Sequence, residues 1–226
     1  MADIFARTRL LLGEEKFDRL QKSRVLVVGC GGVGGFVCEF LVRTGIGGIT
    51  IVDFDSIEPT NINRQVIATH KTLGQPKVIA LQQRLTDICP SLKISAINER
   101  FCEQTKEQIF AESFDYVIDA IDKVDDKACL IETAIKKGRK IISATGAGNR
   151  FDIPEFEVKD IFKTADDGLA KALRKKLREK NVTALNCVCA KSKAQKIDGV
   201  VGSISYYPAA CAVTLAAFVV NSLAEN

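Results

Sequence analysis

Residues 25–35 read V-L-V-V-G-C-G-G-V-G-G, and the next apolar run, I-T-I-V-D, closes on Asp53. Gly29, Gly31, Gly32 and Gly34 leave a turn without β-carbons between a buried strand and a helix. Such a turn lets a phosphate chain approach backbone N–H groups at a helix start. An acid at the end of the following strand is placed to accept hydrogen bonds from a ribose. The chemistry this spacing points to is nucleotide binding. More polar residues follow. Asn61, Asn63, Arg64 and Gln65 come soon after Asp53 and Asp55, Gln75-Pro76-Lys77 opens the next helix, and Asp119-Ala120-Ile121-Asp122 ends the fourth strand. A lysine in a first turn opposes the helix dipole, a conflict that a facing phosphate removes.

Five apolar runs, 25–28, 49–52, 93–98, 116–119 and 140–143, must position these groups, with helical patterns between them at 33–43, 77–88, 105–111 and 127–137. Continuous apolar strands alternating with helices predict an α/β fold, a Rossmann-like, doubly wound and mainly parallel sheet. Ligands of such sheets bind beyond the carboxyl ends of the strands. Gly29, Asp53, Asp122 and Thr145 all fall there. After Gly148 the pattern changes to a short strand at 156–158 and a basic helix at 167–180, with Asp166 or Asp167 as its cap. Residues 181–208 show no clear period, and Gly199 and Gly202 mark loops. The chain reads as a single domain over 1–226: a helical arm (1–22), a nucleotide-binding core (23–148) and a C-terminal extension of short strands and helices on the substrate side (149–226).

Hydrophobic content of 46% with 27% charged residues excludes a disordered chain, and a net charge of +4 permits an anionic partner without demanding one. Eight cysteines lie mostly inside apolar elements, no C-x-x-C pair occurs, and no secretory signal precedes them. We therefore expect free thiols in a reducing, cytoplasmic setting and no structural zinc. The apolar run 209–220 is too short to span a bilayer, so a buried helix and no membrane partner are expected.

The motifs GCGGVG, D-F-D, N-I-N-R-Q, GQPK and D-A-I-D together resemble the ThiF/MoeB/HesA group, bacterial relatives of the ubiquitin-activating enzymes, over roughly the first 150 residues. Within it, R-T-R-L-L-L-G-E-E, R-T-G-I-G-G-I-T, Y-V-I-D-A-I-D, A-T-G-A-G and L-A-K-A-L-R-K-K-L-R are most similar to the TcdA-like transfer-RNA threonylcarbamoyladenosine dehydratases. The resemblance implies ATP-dependent adenylation of a carboxylate, with ATP and Mg²⁺ as cofactors. It implies that Gly29, Gly31, Gly32 and Gly34 admit the nucleotide and that Asp53 holds its ribose. Asn61, Arg64 and Lys77 would contact the phosphates, with Asp55 and Gln65 beside them, and Asp122 would hold Mg²⁺. Arg9, or failing it Arg7, matches the arginine lent across a homodimer interface. Simpler roles compete at each position: a surface ion pair for Arg64, a solvated helix start for Lys77, a helix cap for Asp122, a solvated helix for Arg9.

Two substrates fit such an adenylating site. For threonylcarbamoyladenosine in tRNA, an adjacent ureido group attacks the adenylate and no enzyme thiol is needed. The helix bearing Lys171, Arg174, Lys175 and Arg178 would then contact the tRNA backbone, against the competing reading of a merely solvated basic face. The alternative substrate is the C-terminal glycine of a ubiquitin-like sulfur carrier, with a cysteine-desulfurase or sulfur-acceptor partner. In that case Cys187 is the candidate thiol, with Lys191 and Lys193 near in sequence to lower its pKa. A nucleotide-binding adaptor without catalysis, and NAD-dependent oxidoreduction, rank behind both.

Overall fold

The computed structural model describes residues 3–225. Two short helices, α1 (Ala6–Leu12) and α2 (Glu14–Lys22), precede β1 (Arg24–Val28). Then come α3 (Gly34–Thr44), β2 (Gly48–Val52), α4 (Lys77–Ile88), β3 (Lys93–Ile97), α5 (Lys106–Ile109), β4 (Tyr116–Asp119), α6 (Val124–Lys136) and β5 (Lys140–Ala144). The chain continues through β6 (Phe156–Asp160), α7 (Gly168–Glu179), β7 (Asn186–Ala190) and α8 (Tyr206–Ala224).

The strands form one sheet in the order β3-β2-β1-β4-β5-β7-β6, parallel except for β6, which runs antiparallel to β7. The strand order reverses between β1 and β4, and that reversal opens a crevice at their carboxyl ends. Alternation along β1 supplies both layers of the core. Val25 and Val27 face α3, α4 and α8, whereas Leu26 and Val28 face the cluster built with α6 and α7.

Several boundaries differ from expectation for physical reasons. α6 begins at Val124 rather than 127, because Asp125 and Asp126 in its first turn suit the positive end of the helix dipole. α7 is capped by Asp167, whose side chain accepts from the Ala170 N–H. β7 was not foreseen at all. It inserts between β5 and β6, where its residues Cys187, Val188 and Cys189 are buried. α8 extends well beyond 209–220 and, at 19 residues, is long and apolar enough by composition to cross a membrane. It packs instead on α3 and α2, burying Tyr207, Cys211, Leu215 and Val219.

α3 is fastened to α4 through Glu39, which is buried and accepts from Arg43 at 2.8 Å and Arg84 at 2.6 Å. Burial pushes this carboxyl up, but the two arginines outweigh it and hold it below the ordinary glutamate value. A lowered folded pKa stabilises the fold above the unfolded pKa, and that contribution is lost as pH falls through the folded value. Glu39→Gln is therefore expected to cost about 1–3 kcal/mol at neutral pH. The gap from the parent protein should close in acid, which chemical denaturation at two pH values checks.

Candidate active site

A cleft of about 660 Å³ occupies the crevice between the carboxyl ends of β1 and β4. Its floor is the turn after β1. Gly29, with φ +95°, donates its N–H to Val52 O at 2.8 Å and presses against the segment after β4. A β-carbon on Gly29 would lie 2.6 Å from Ala120 O, and one on Gly34 would lie 1.8 Å from Gly29 O. These two glycines exist so that backbones can touch. Gly31 differs, because a β-carbon there meets nothing nearer than Gln65 Nε2 at 3.8 Å. Its face is open to the cleft.

Asp53 braces this turn. One carboxylate oxygen accepts from the Cys30 N–H at 2.6 Å and the other from the Asp55 N–H at 2.9 Å. The Cys30 thiol beneath is fully buried, and burial raises its pKa well above the ordinary thiol value. Asp55 in turn meets Lys77, whose Nζ donates to Asp55 Oδ2 at 2.8 Å. Lys77 is buried at 7% exposure rather than solvated, so its charge is aimed into the cleft wall.

The loop after β2 contains a 3₁₀ turn at Pro59–Asn61. Asn61 is buried, and its Oδ1 accepts from the Glu58 N–H at 3.2 Å. Half-buried Arg64 is steadied by Thr60 O at 2.8 Å and Asn63 Oδ1 at 2.9 Å, and it forms no ion pair among the described residues. The expected competitor, a surface salt bridge, is thus absent. Gln65 lines the cleft beside Gly31, buried, with its Oε1 unpaired among the described residues. Asp122 is exposed, lines the cleft and makes no side-chain bond among the described residues. It does not cap α6, whose N-cap position is Lys123.

The structure therefore gathers Gly29, Gly31, Gly32, Asp53, Asp55, Asn61, Arg64, Gln65, Lys77 and Asp122 around one cleft. Gly34 lies just beneath it and acts through packing. Arg9 is elsewhere. Its guanidinium sits 4.1 Å from the Phe17 ring centroid and is tied to Asp3 and Glu14 on its own chain.

Sequence reasoning missed three supports of the cleft. Arg100 forks onto Asp126 with contacts of 2.7 and 2.8 Å. Buried Arg150 donates to Gly146 O at 2.8 Å and to Ser192 O at 3.1 Å, holding the loop after β5. Asp119 and Lys127 form an ion pair of 2.8 Å with both side chains fully buried. Burial pushes the Asp119 carboxyl up, opposed by Lys127 and Ser143. A buried charge has no periodicity, so only the two acids of D-A-I-D gave any signal.

Two expectations need correction. Cys187 is not a poised thiol. It is fully buried on β7, and its hydrogen bond with Cys189 together with burial raises its pKa far above normal. Lys191 and Lys193 turn away to Glu155 and Asp166. Nor is Arg174 a free contact. It points into its own domain, donating to Thr164 O at 3.1 Å and to Thr164 Oγ1. Lys171 and Lys175 stay exposed without a partner among the described residues, and Arg178 lies 5.4 Å from the Phe162 ring centroid. Cys187→Ala is accordingly expected to keep nearly full activity. Iodoacetamide on the folded protein should spare Cys187 and modify Cys102, the one thiol not buried among the described residues, which peptide mapping would show.

The ThiF family model matches residues 5–225. The chain belongs to the ThiF family. Among ThiF-family relatives, the Bacillus subtilis tRNA threonylcarbamoyladenosine dehydratase is 42% identical over 178 residues, which are 79% of this chain and 70% of that protein. The Escherichia coli enzyme of the same name is 35% identical over 174 residues, 77% of this chain and 65% of its own length. The crystal structure of the E. coli dehydratase TcdA in complex with ATP superposes with a TM-score of 0.91 at 28% identity, covering 97% of this chain and 93% of that one. The ThiF-family fold expected from the sequence is the one observed.

Proposed function

We propose that this protein is an ATP-dependent tRNA threonylcarbamoyladenosine dehydratase. The observation that carries the reading is the convergence of Asp53, Arg64, Lys77 and Asp122 on one cleft whose fold matches a dehydratase holding ATP. The threonyl carboxylate attacks the α-phosphorus, pyrophosphate departs, and an acyl-adenylate remains. The neighbouring ureido group then displaces AMP and closes a ring, so the water lost by the nucleoside is the one ATP cleavage takes up. Because the second nucleophile is already in the substrate, its effective concentration is high and no enzyme thiol is required. Buried Cys187 agrees with that route and removes the main support for a sulfur-carrier substrate.

Gly31 gives the phosphate chain backbone access, Asp53 meets the ribose, and Arg64 and Lys77 stabilise charge developing on the phosphoryl oxygens. Among the described residues no three His, Cys, Asp or Glu side chains cluster to cage a metal. Mg²⁺ needs no such cage, since it is commonly held by one or two carboxylates together with substrate phosphates. Asp122 fits that use, and the ion would neutralise the phosphates when bound. The tRNA backbone would run past Leu169, which lines the cleft, onto exposed Lys171 and Lys175 of α7. The eight unpaired cysteines suit a reducing cytoplasm.

A homodimer completes the proposal. α1 buries none of its own residues, and Leu10 and Leu11 are 86% and 85% exposed. Docked on a second subunit, this arm would bring Arg9 to that subunit's phosphates. Mixing Arg9→Ala with Arg64→Ala subunits, each strongly impaired alone, is then expected to restore activity in the heterodimer. The reading as a whole is tested by ATP–pyrophosphate exchange with threonylcarbamoyl-modified tRNA. Exchange that depends on the modified tRNA is expected, whereas a nucleotide-binding adaptor gives none.

A further inference from the structure

Asp122 has no side-chain bond among the described residues, so its position is set by its backbone alone. That backbone is gripped from below. Asp119, at the end of β4, accepts from the Ile121 N–H at 3.1 Å through Oδ1 and from Ser143 Oγ at 2.7 Å through Oδ2. Lys127, in the first turns of α6, reaches the same Oδ2 at 2.8 Å and donates to Ile121 O at 2.9 Å. Both polar groups of the Ile121 backbone are thus held by one fully buried ion pair. On one side of Ile121, Ala120 donates to Val28 O at 2.9 Å and backs onto Gly29. On the other side is Asp122.

A buried pair of this kind is a poor stability device, because desolvation offsets its attraction and apolar residues of similar size often serve as well. What apolar residues cannot supply is the pair of hydrogen bonds to Ile121. We propose that Asp119 and Lys127 are positioning residues that clamp the Ala120–Asp122 backbone and so aim the Asp122 carboxylate at the nucleotide's metal-bearing phosphates. This rests on the reading of Asp122 as the Mg²⁺-facing carboxylate.

The test is the double variant Asp119→Leu/Lys127→Met, which removes both charges while filling the space. Its unfolding midpoint should fall only modestly, because the Ile121 N–H and C=O lose partners while two buried charges are removed. Calorimetric affinity for ATP with Mg²⁺ should fall about tenfold or more, the usual effect of losing a group that orients a metal ligand. Metal-free ATP binding should be nearly unchanged. Parent-like Mg²⁺–ATP binding in the folded double variant overturns the proposal, and so does an equal loss with and without the metal. Lys127→Arg keeps the charge but displaces the donor from Ile121 O, and should show the same selective loss. If the double variant does not fold, Lys127→Arg decides alone, and parent-like binding in it overturns the proposal. Asp122→Asn separates the two layers. A selective Mg²⁺–ATP loss there but not in the clamp variants overturns only the clamp, whereas no loss in Asp122→Asn overturns the metal role and the clamp with it.

Discussion

Arg64→Ala and Lys77→Met are each expected to leave the fold intact and to slow adenylate formation about a hundredfold, the usual effect of removing one preorganised group that faces developing charge. Among the described residues the Arg64 side chain bonds only Thr60 O and Asn63 Oδ1, both uncharged, so its loss strands no buried charge. Lys77 is buried, but its partner Asp55 is half exposed and stays solvated without it. Methionine fills the space of the lysine stem, so packing survives while the cation is gone. Both variants should keep the parent unfolding midpoint and show the loss in pyrophosphate release under saturating ATP. Near-normal release in both would mean that the two cations do not face the phosphates.

The second large effect is structural and distinguishes glycines that look equivalent in the motif. Gly34→Ala places a β-carbon 1.8 Å from Gly29 O, a backbone atom that cannot give way without moving the turn. Overpacking of this severity should cost about 3 kcal/mol or more. Gly31→Ala has 3.8 Å of room in the free protein, so its midpoint should be unchanged. Its methyl group would instead occupy the face that a phosphate chain needs, and ATP affinity should fall. Thermal unfolding and nucleotide titration on the two variants give opposite patterns if the assignment is right. Equal destabilisation by both would mean the turn is merely tight.

How far the sequence alone reaches can be judged from particular residues. β1, β2 and β4 were legible because each is a continuous apolar run that stops at a glycine or an acid, the pattern that two-sided burial requires. The cleft-lining polar residues were legible because they sit where those strands stop. β7 was not, since Asn186-Cys-Val-Cys-Ala starts polar and lies within a stretch without period. Missing that strand led directly to the error at Cys187, because a cysteine assigned to a loop looks available and one on a central strand is not. Arg174 and Lys127 were illegible for a related reason. Nothing local distinguishes a solvated cation from one whose carbonyl or carboxylate partners arrive from another element.

The central claim is most directly tested by incubating the purified protein with ATP, Mg²⁺ and tRNA bearing threonylcarbamoyladenosine, then digesting the tRNA and weighing the nucleoside. The account predicts that the modified nucleoside loses the mass of one water, with AMP and pyrophosphate formed in equal amounts. An unchanged nucleoside, with pyrophosphate released only when a ubiquitin-like carrier protein is supplied, would contradict it.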